Sequence, residues 1–300
     1  MNYAIIDLGS NTIRLCVYEY ADGMLRTIIN QKETAALAGY VSKGVLQQQG
    51  IDKASEVLNT FGAIANRLID TEKVHVIATA SLRNITNSDE ALAIIKRNTG
   101  MDIRILSGEE EAHFDFMGAS HQTARENGLL IHIGGASTEF VFFANHAPMT
   151  LTSIPIGCLN LYSQFVEGFF PTAQERRKIK KEINHHLDTV KPQERSYEIM
   201  IGVGGTLKAA NKLTQELRHL PATSQDMTGD DIIELNERSK KRDSALFQMV
   251  CRAIPERVLT IVPGLMLLRQ IIKRFECKTI HISEYGVREG YLLDRVINAK

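Results

Sequence analysis

Apolar residues in this chain change their period in a regular order. Near the N-terminus they fall in short runs between turn residues, which predicts strands at 3–8, 12–20 and 24–31. Over 52–69 the step changes, and Ala54, Val57, Leu58, Phe61, Ile64, Ala65, Leu68 and Ile69 recur by threes and ones. That spacing lays one apolar face along a helix. A strand follows at 74–79, a helix at about 88–98 stopped by Gly100, and a strand at 103–106. The next helix opens at "SGEEEA", where Ser107 and Glu110 have capping-box spacing. The order is β-β-β-α-β-α-β-α.

From 129 that order starts again, with strands at 129–133, 138–144 and 149–155 and helices at about 158–168 and 172–190. Thr172 and Glu175 open the second of these helices as another capping-box pair. A strand at 197–204, a helix from Thr206, further helices, a strand at 278–283 and a last helix from about 286 complete the chain. The halves also echo each other residue by residue. With "YAIIDLGSNTIRLCVY" laid over "LLIHIGGASTEFVFF", Asp7 falls on His132, Gly9 on Gly134, Ser10 on Gly135, Thr12 on Ser137 and Arg14 on Glu139. Each half thus carries a strand, a turn of phosphate size and a second strand. A glycine hairpin by itself is common. The same turn in the same register of a duplicated unit points to two anion-binding turns facing each other across a cleft.

Composition narrows the class. With 44% hydrophobic and 23% charged residues, the chain reads as an ordinary globular protein of about two domains. The apolar stretch "VLTIVPGLMLLRQII" is interrupted by Pro263-Gly264 and Arg269, which excludes a membrane span. No signal peptide is expected, because "MNYAIIDLGSN" lacks a basic start. Cys16, Cys158, Cys251 and Cys277 are scattered and read as reduced thiols, so a cytoplasmic location is expected. Formal net charge is zero, so a phosphate ligand must be held by local groups. Without tryptophan or interleaved aromatics, nucleic acid is not an expected partner. The basic runs at Arg176–Lys181 and Arg238–Arg242 read as solvated helix faces or an extended track for a polyanion.

Six stretches, "IIDLGSNTIRL", "IATASLR", "ILSGEEEA", "IGGASTE", "IGVGGTLKA" and "SEYGVREGYL", stand in the order and spacing of the exopolyphosphatase / guanosine pentaphosphate phosphohydrolase (Ppx/GppA) family. The chain resembles its short form, without the helical C-terminal domain of HD-hydrolase type. The resemblance implies an α/β fold of two actin-like (ribonuclease H-like) domains. These are expected at 1–124 and 125–286, with the last helix, 287–300, packing back on the first. It implies release of terminal phosphate from inorganic polyphosphate, or of the 5′ γ-phosphate from guanosine pentaphosphate. A binding protein for polyphosphate or a guanosine alarmone is the alternative. The expected assembly is a monomer or homodimer.

The resemblance also assigns roles. Glu111 matches the catalytic glutamate, a general base that takes a proton from the attacking water. Glu109 and Glu110 are explained by the helix dipole. Ser10, Asn11, Arg14 and Arg83 are expected on phosphate from the first half. Gly134, Gly135, Ser137, Thr138, Gly204, Gly205, Thr206, Lys208 and Arg257 are expected there from the second. "GVGGTLKA" reads as strand, glycine turn and helix N-terminus, an anion site in which Lys208 occupies the first helical turn against the dipole. Asp7 and Glu139 are the expected metal ligands, for a divalent cation of the magnesium type. His132 stands where the family carries aspartate. Asp7 and Glu139 then hold the metal alone, or manganese is used, or a protonated His132 neutralises phosphate itself, or the site binds but turns over poorly.

Overall fold

A computed structural model describes residues 1–298 apart from 124, 193 and 195. The expected domain boundary at 124 and the expected helix end at 299–300 therefore lie outside the described residues. The chain divides into two compact units, Met1–Glu111 and Ala112–Lys300.

The first unit opens with β1 (Asn2–Leu8), β2 (Thr12–Ala21) and β3 (Met24–Thr34). A two-stranded ladder of β4 (Val41–Ser42) and β5 (Val45–Leu46) follows, then α1 (Gln48–Ala65), β6 (Val74–Ala78), α2 (Ala80–Arg83), α3 (Ser88–Thr99) and β7 (Ile103–Ile105). The main sheet has the order β3-β2-β1-β6-β7. β1, β2 and β3 are antiparallel, whereas β1, β6 and β7 are parallel. Ile51, Ala54, Val57, Leu58, Phe61 and Ala65 of α1 are buried in the core cluster that β1, β2 and β6 also supply. Each large apolar side chain buried there stabilises the unit by about 1.5–3 kcal/mol. Gly100 ends α3 with φ 72°, as expected. α1 lies about four residues earlier than expected. The chain turns after Ala65, whose carbonyl takes the N–H of Leu68 and of Ile69, and Leu68 is exposed.

α4 (Gly108–Gln122) carries the chain from the first unit into the second. Its capping box forms as expected: Ser107 Oγ accepts from Glu110 N, and the Glu110 carboxylate accepts from Ser107 N. The second unit runs β8 (Gly128–Ile133), β9 (Thr138–Ala144), β10 (Ala147–Ile154), α5 (Cys158–Phe165), α6 (Ala173–Leu187) and β11 (Ile199–Val203). It continues with α7 (Gly204–Arg218), β12 (Asp226–Thr228), α8 (Gly229–Lys240), α9 (Ser244–Ala253), α10 (Ile261–Phe275), β13 (Thr279–Ile282) and α11 (Val287–Tyr291). π-helical turns extend α11 over Leu292–Ile297. Its sheet has the order β10-β9-β8-β11-β13-β12, so the first five strands repeat the topology of the first unit. β12 was not expected: its three residues hold one buried apolar side chain, Met227, too short a run to show a period. α7 begins at Gly204 rather than Thr206.

Ala112, Phe116 and Ala119 of α4 share a core cluster with Leu130, Val141, Phe143, Ile201 and Val203, so this part of the helix belongs to the second unit. α11 packs on the same helix through glycines. A Cβ at Gly290 would stand 1.8 Å from Phe114 O, and one at Gly118 would stand 2.3 Å from Gly286 O. Side chains there would force the backbones apart. Gly290→Ala is therefore expected to destabilise the protein by about 1–3 kcal/mol in denaturant unfolding. Gly168→Ala, whose added Cβ meets nothing within 4 Å, should change it by no more than about 0.5 kcal/mol.

Candidate functional site

The two glycine turns have the same internal geometry. In the first unit Gly9 N donates to Thr12 O at 3.1 Å and places Asp7 directly opposite Arg14. In the second, Gly134 N donates to Ser137 O at 3.0 Å and places His132 directly opposite Glu139. One strand further out stand Lys32 beside Arg14 and Ser153 beside Glu139. The residue echo is thus a structural equivalence, but its charges are inverted. The first hairpin has an acid on its leading strand and cations beyond. The second has an imidazole on its leading strand and an acid beyond.

In the first unit the side chains converge at the end of β6. Ser81 Oγ donates to Leu8 O, tying α2 to the end of β1. Arg83 Nη1 donates to Leu106 O and to Glu111 Oε2, both at 2.9 Å. Glu111 is 3% exposed, so this pairing acts where screening by water is weak. Ser10 is buried and its carbonyl accepts from Ala38 N, while the Asn11 carbonyl accepts from Ala36 N. Arg14 Nη1 donates to Asn30 Oδ1 at 2.6 Å.

In the second unit His132 stands between two fully buried carboxylates. Its Nδ1 lies 2.7 Å from Asp115 Oδ2 and 3.8 Å from Glu139 Oε2. Burial pushes the Glu139 carboxyl above the usual carboxylate range. The His132 charge and the Ser137 hydroxyl oppose this, Asp115 adds to it, and the Ser153 hydroxyl also opposes it. Asp115 Oδ1 is buried without a hydrogen-bond partner among the described residues. Two carboxylates in a buried site call for a compensating cation, either a protonated imidazole or a metal ion. His132 and Glu139 offer the imidazole and carboxylate ligand atoms that a divalent ion takes.

The glycines beside this cluster make room for cationic groups. A Cβ at Gly204 (φ 84°) would stand 2.3 Å from His132 Cδ2, and one at Gly205 would stand 1.9 Å from Arg257 Nη2. Arg257 is thereby held against the first turn of α7, where the helix dipole disfavours a cation and favours an anion between them. Gly134 O and Gly135 O are occupied differently: they accept from Cys158 N at 3.0 Å and from Leu159 N at 2.8 Å, at the start of α5.

A family model described as the Ppx/GppA phosphatase family matches residues 16–299. The chain belongs to that family. It is 28% identical to a guanosine-5′-triphosphate,3′-diphosphate pyrophosphatase of Vibrio parahaemolyticus over 304 aligned residues, covering 98% of this chain and 59% of that protein. The chain thus spans less than two thirds of the length of such curated relatives. A crystal structure of the Aquifex aeolicus member of the Ppx/GppA family superposes with TM-score 0.80 at 25% identity, covering 100% of this chain and 99% of that one. An exopolyphosphatase structure from Cytophaga hutchinsonii, 22% identical, shares the fold with TM-score 0.82 over 98% of this chain and 97% of the other.

Several of the expected phosphate groups make contacts within the fold. Thr138 is fully buried and its hydroxyl donates to Ile156 O at 2.6 Å. The Thr206 hydroxyl is buried against Cys158 Sγ, and the Ser137 hydroxyl bonds Glu139. Lys208 lies in the second turn of α7, because the helix starts two residues earlier than expected. Its Nζ donates to Glu284 O and Oε2, each at 2.9 Å. Asp115 was missed by sequence reasoning. Its signal was an acid four residues after Glu111, on the same helix face and inside the apolar run "HFDFMGA". Thr138→Val should leave affinity for polyphosphate unchanged in titration calorimetry. It should lower unfolding stability by about 1–3 kcal/mol, because the Ile156 carbonyl loses its donor.

Proposed function

We propose that this chain is a phosphohydrolase that removes terminal phosphate from inorganic polyphosphate or the 5′ γ-phosphate from guanosine pentaphosphate, with Glu111 as general base. The observation that carries this reading is the buried carboxylate of Glu111, oriented by the Arg83 guanidinium. A carboxylate held in one position can take the proton of a water as that water's oxygen bonds to the terminal phosphorus. The bridging P–O bond then breaks, and the leaving group is the shortened polyphosphate or guanosine tetraphosphate. Phosphoryl transfer otherwise asks for positioning and charge neutralisation. Arg83, beside Glu111, is suited to the latter; within the second unit Arg257 and the N–H groups of Gly204 and Gly205 are suited to hold an anion. Similarity to the Vibrio relative, a pyrophosphatase of guanosine-5′-triphosphate,3′-diphosphate, favours the nucleotide as substrate.

A divalent cation would supply further charge neutralisation when bound, with Glu139 and His132 offering ligand atoms in the second unit. His132 bears on which ion that is. An aspartate in its place would stand directly opposite Glu139 and against Asp115, three acids that hold together only around a metal. The imidazole relieves that demand. A second reading, a protein that binds the alarmone or polyphosphate and turns it over slowly, rests on the same residue.

Phosphate release should be measured with long-chain polyphosphate and with guanosine pentaphosphate, each in magnesium and in manganese. Turnover of one of them that falls about a hundred- to ten-thousand-fold in Glu111→Gln supports the enzyme. Binding without release in the wild type supports the sensor, and Glu111→Gln activity near the wild type removes the base assignment. His132→Asp should be destabilised by about 3–5 kcal/mol in chelator and recover on adding magnesium, while the wild-type melting temperature changes little between the two.

A further inference from the structure

The second unit carries a cavity of about 650 Å³ between α6, α8 and α10 that shares no lining residue with the turns or the His132 cluster. Seven of its thirteen lining residues are basic, and none is acidic among those described. α6 contributes Arg176, Arg177 and Lys180, with Arg176 and Lys180 one turn apart on the same face. α10 contributes Arg269 and Lys273 at the same spacing. The end of α8 and the turn after it add Lys240 and Arg242. Like charges at that spacing repel, so the sequence sustains this arrangement against its own electrostatics. Glu237 offsets part of it, accepting from Arg269 at 3.0 Å and lying 3.6 Å from Lys240. The floor is apolar, with buried Ile183 and Met266.

Arg176 marks the deepest charge. Its Nη2 donates to Ser239 Oγ at 2.5 Å, whereas its Nε is buried and finds no acceptor among the described residues. Burial lowers its pKa, Glu237 raises it, and the guanidiniums of Arg269 and Arg242 lower it again. A guanidinium that keeps a buried donor unsatisfied beside two others is arranged for an anion with several oxygens, which can take forked bonds from more than one of them.

We propose that this groove is a second anion site that binds a diphosphate group. The rim cations hold the two phosphates, and the apolar floor accepts a ring when the diphosphate belongs to a nucleotide. Adjacent phosphates match cations drawn from three helices, and the volume is of the size that encloses a small organic ligand. Inorganic diphosphate and a nucleoside diphosphate share the recognised chemistry, and the floor separates them.

Titration calorimetry of the full chain with ADP and with pyrophosphate tests this. Lys180→Ala/Lys273→Ala alters two exposed side chains and should keep the wild-type melting curve. Binding of the probe should weaken in it about tenfold or more, as loss of charge-assisted contacts to phosphate implies. Affinity should also fall as salt rises. Arg83→Ala and Glu111→Gln should retain the binding step that Lys180→Ala/Lys273→Ala weakens, whatever becomes of binding and hydrolysis beside Glu111. ADP binding more tightly than pyrophosphate identifies the nucleotide as the source, and equal affinity identifies inorganic diphosphate. Failure of both probes to bind, wild-type affinity in Lys180→Ala/Lys273→Ala, or loss of that binding step in Arg83→Ala would overturn the proposal.

Discussion

One backbone hydrogen bond, made once in each unit, sets the register on which the candidate site depends. A glycine N–H donates to the carbonyl three residues on, Gly9 to Thr12 and Gly134 to Ser137. Because side chains alternate along a strand, a slip of one residue would turn Asp7 and Arg14, or His132 and Glu139, to opposite faces of their sheets. With the register held, each hairpin presents a pair of chemically opposite groups at the end of a strand. The parallel neighbours β6 and β11 end beside these hairpins. The segments that follow them, Thr79–Arg83 and Gly204–Lys208, bring arginine, lysine and free backbone N–H positions of a helix start to the same end of each sheet.

The inverted charge of the second hairpin follows from what surrounds it. Glu139 and Asp115 are both fully buried, the one on a central strand and the other on α4. Buried carboxylates this close to one another raise the free energy of the folded state unless a positive group lies between them. His132 occupies that position at hydrogen-bond distance from Asp115. The histidine therefore brings part of the charge balance into the protein that an aspartate at the same place would leave to a metal ion.

The segment "SEYGVREGYL" is tied to α4 and α7 by backbone and side-chain contacts. Gln122 Oε1 at the end of α4 accepts from Glu284 N and Tyr285 N, the Glu289 carboxylate accepts from Gly286 N, and Glu284 pairs with Lys208. Gly286 and Gly290 let α11 approach the backbone of α4 on the side that carries Asp115. These contacts fix α11 against the helix on which Asp115 sits.

Sequence alone determined the periodic elements, their duplicated order, the equivalence of the two turns and the capping boxes at Ser107 and Thr172. Each of these is set by neighbours within about one turn or one hairpin, where local hydrogen bonding and side-chain period decide. The pairing of Arg83 with Glu111, the place of Asp115, the internal use of Thr138 and Thr206 and the basic groove between α6, α8 and α10 were decided only by tertiary structure. A side chain's partner there comes from a distant element. Thr138 looks the same in sequence whether its hydroxyl meets a phosphate or the carbonyl of Ile156, and only the folded chain brings Ile156 within 2.6 Å. Likewise, two basic runs read as solvated faces or a polyanion track until packing turns Arg176 inward to the groove that Arg269 also lines.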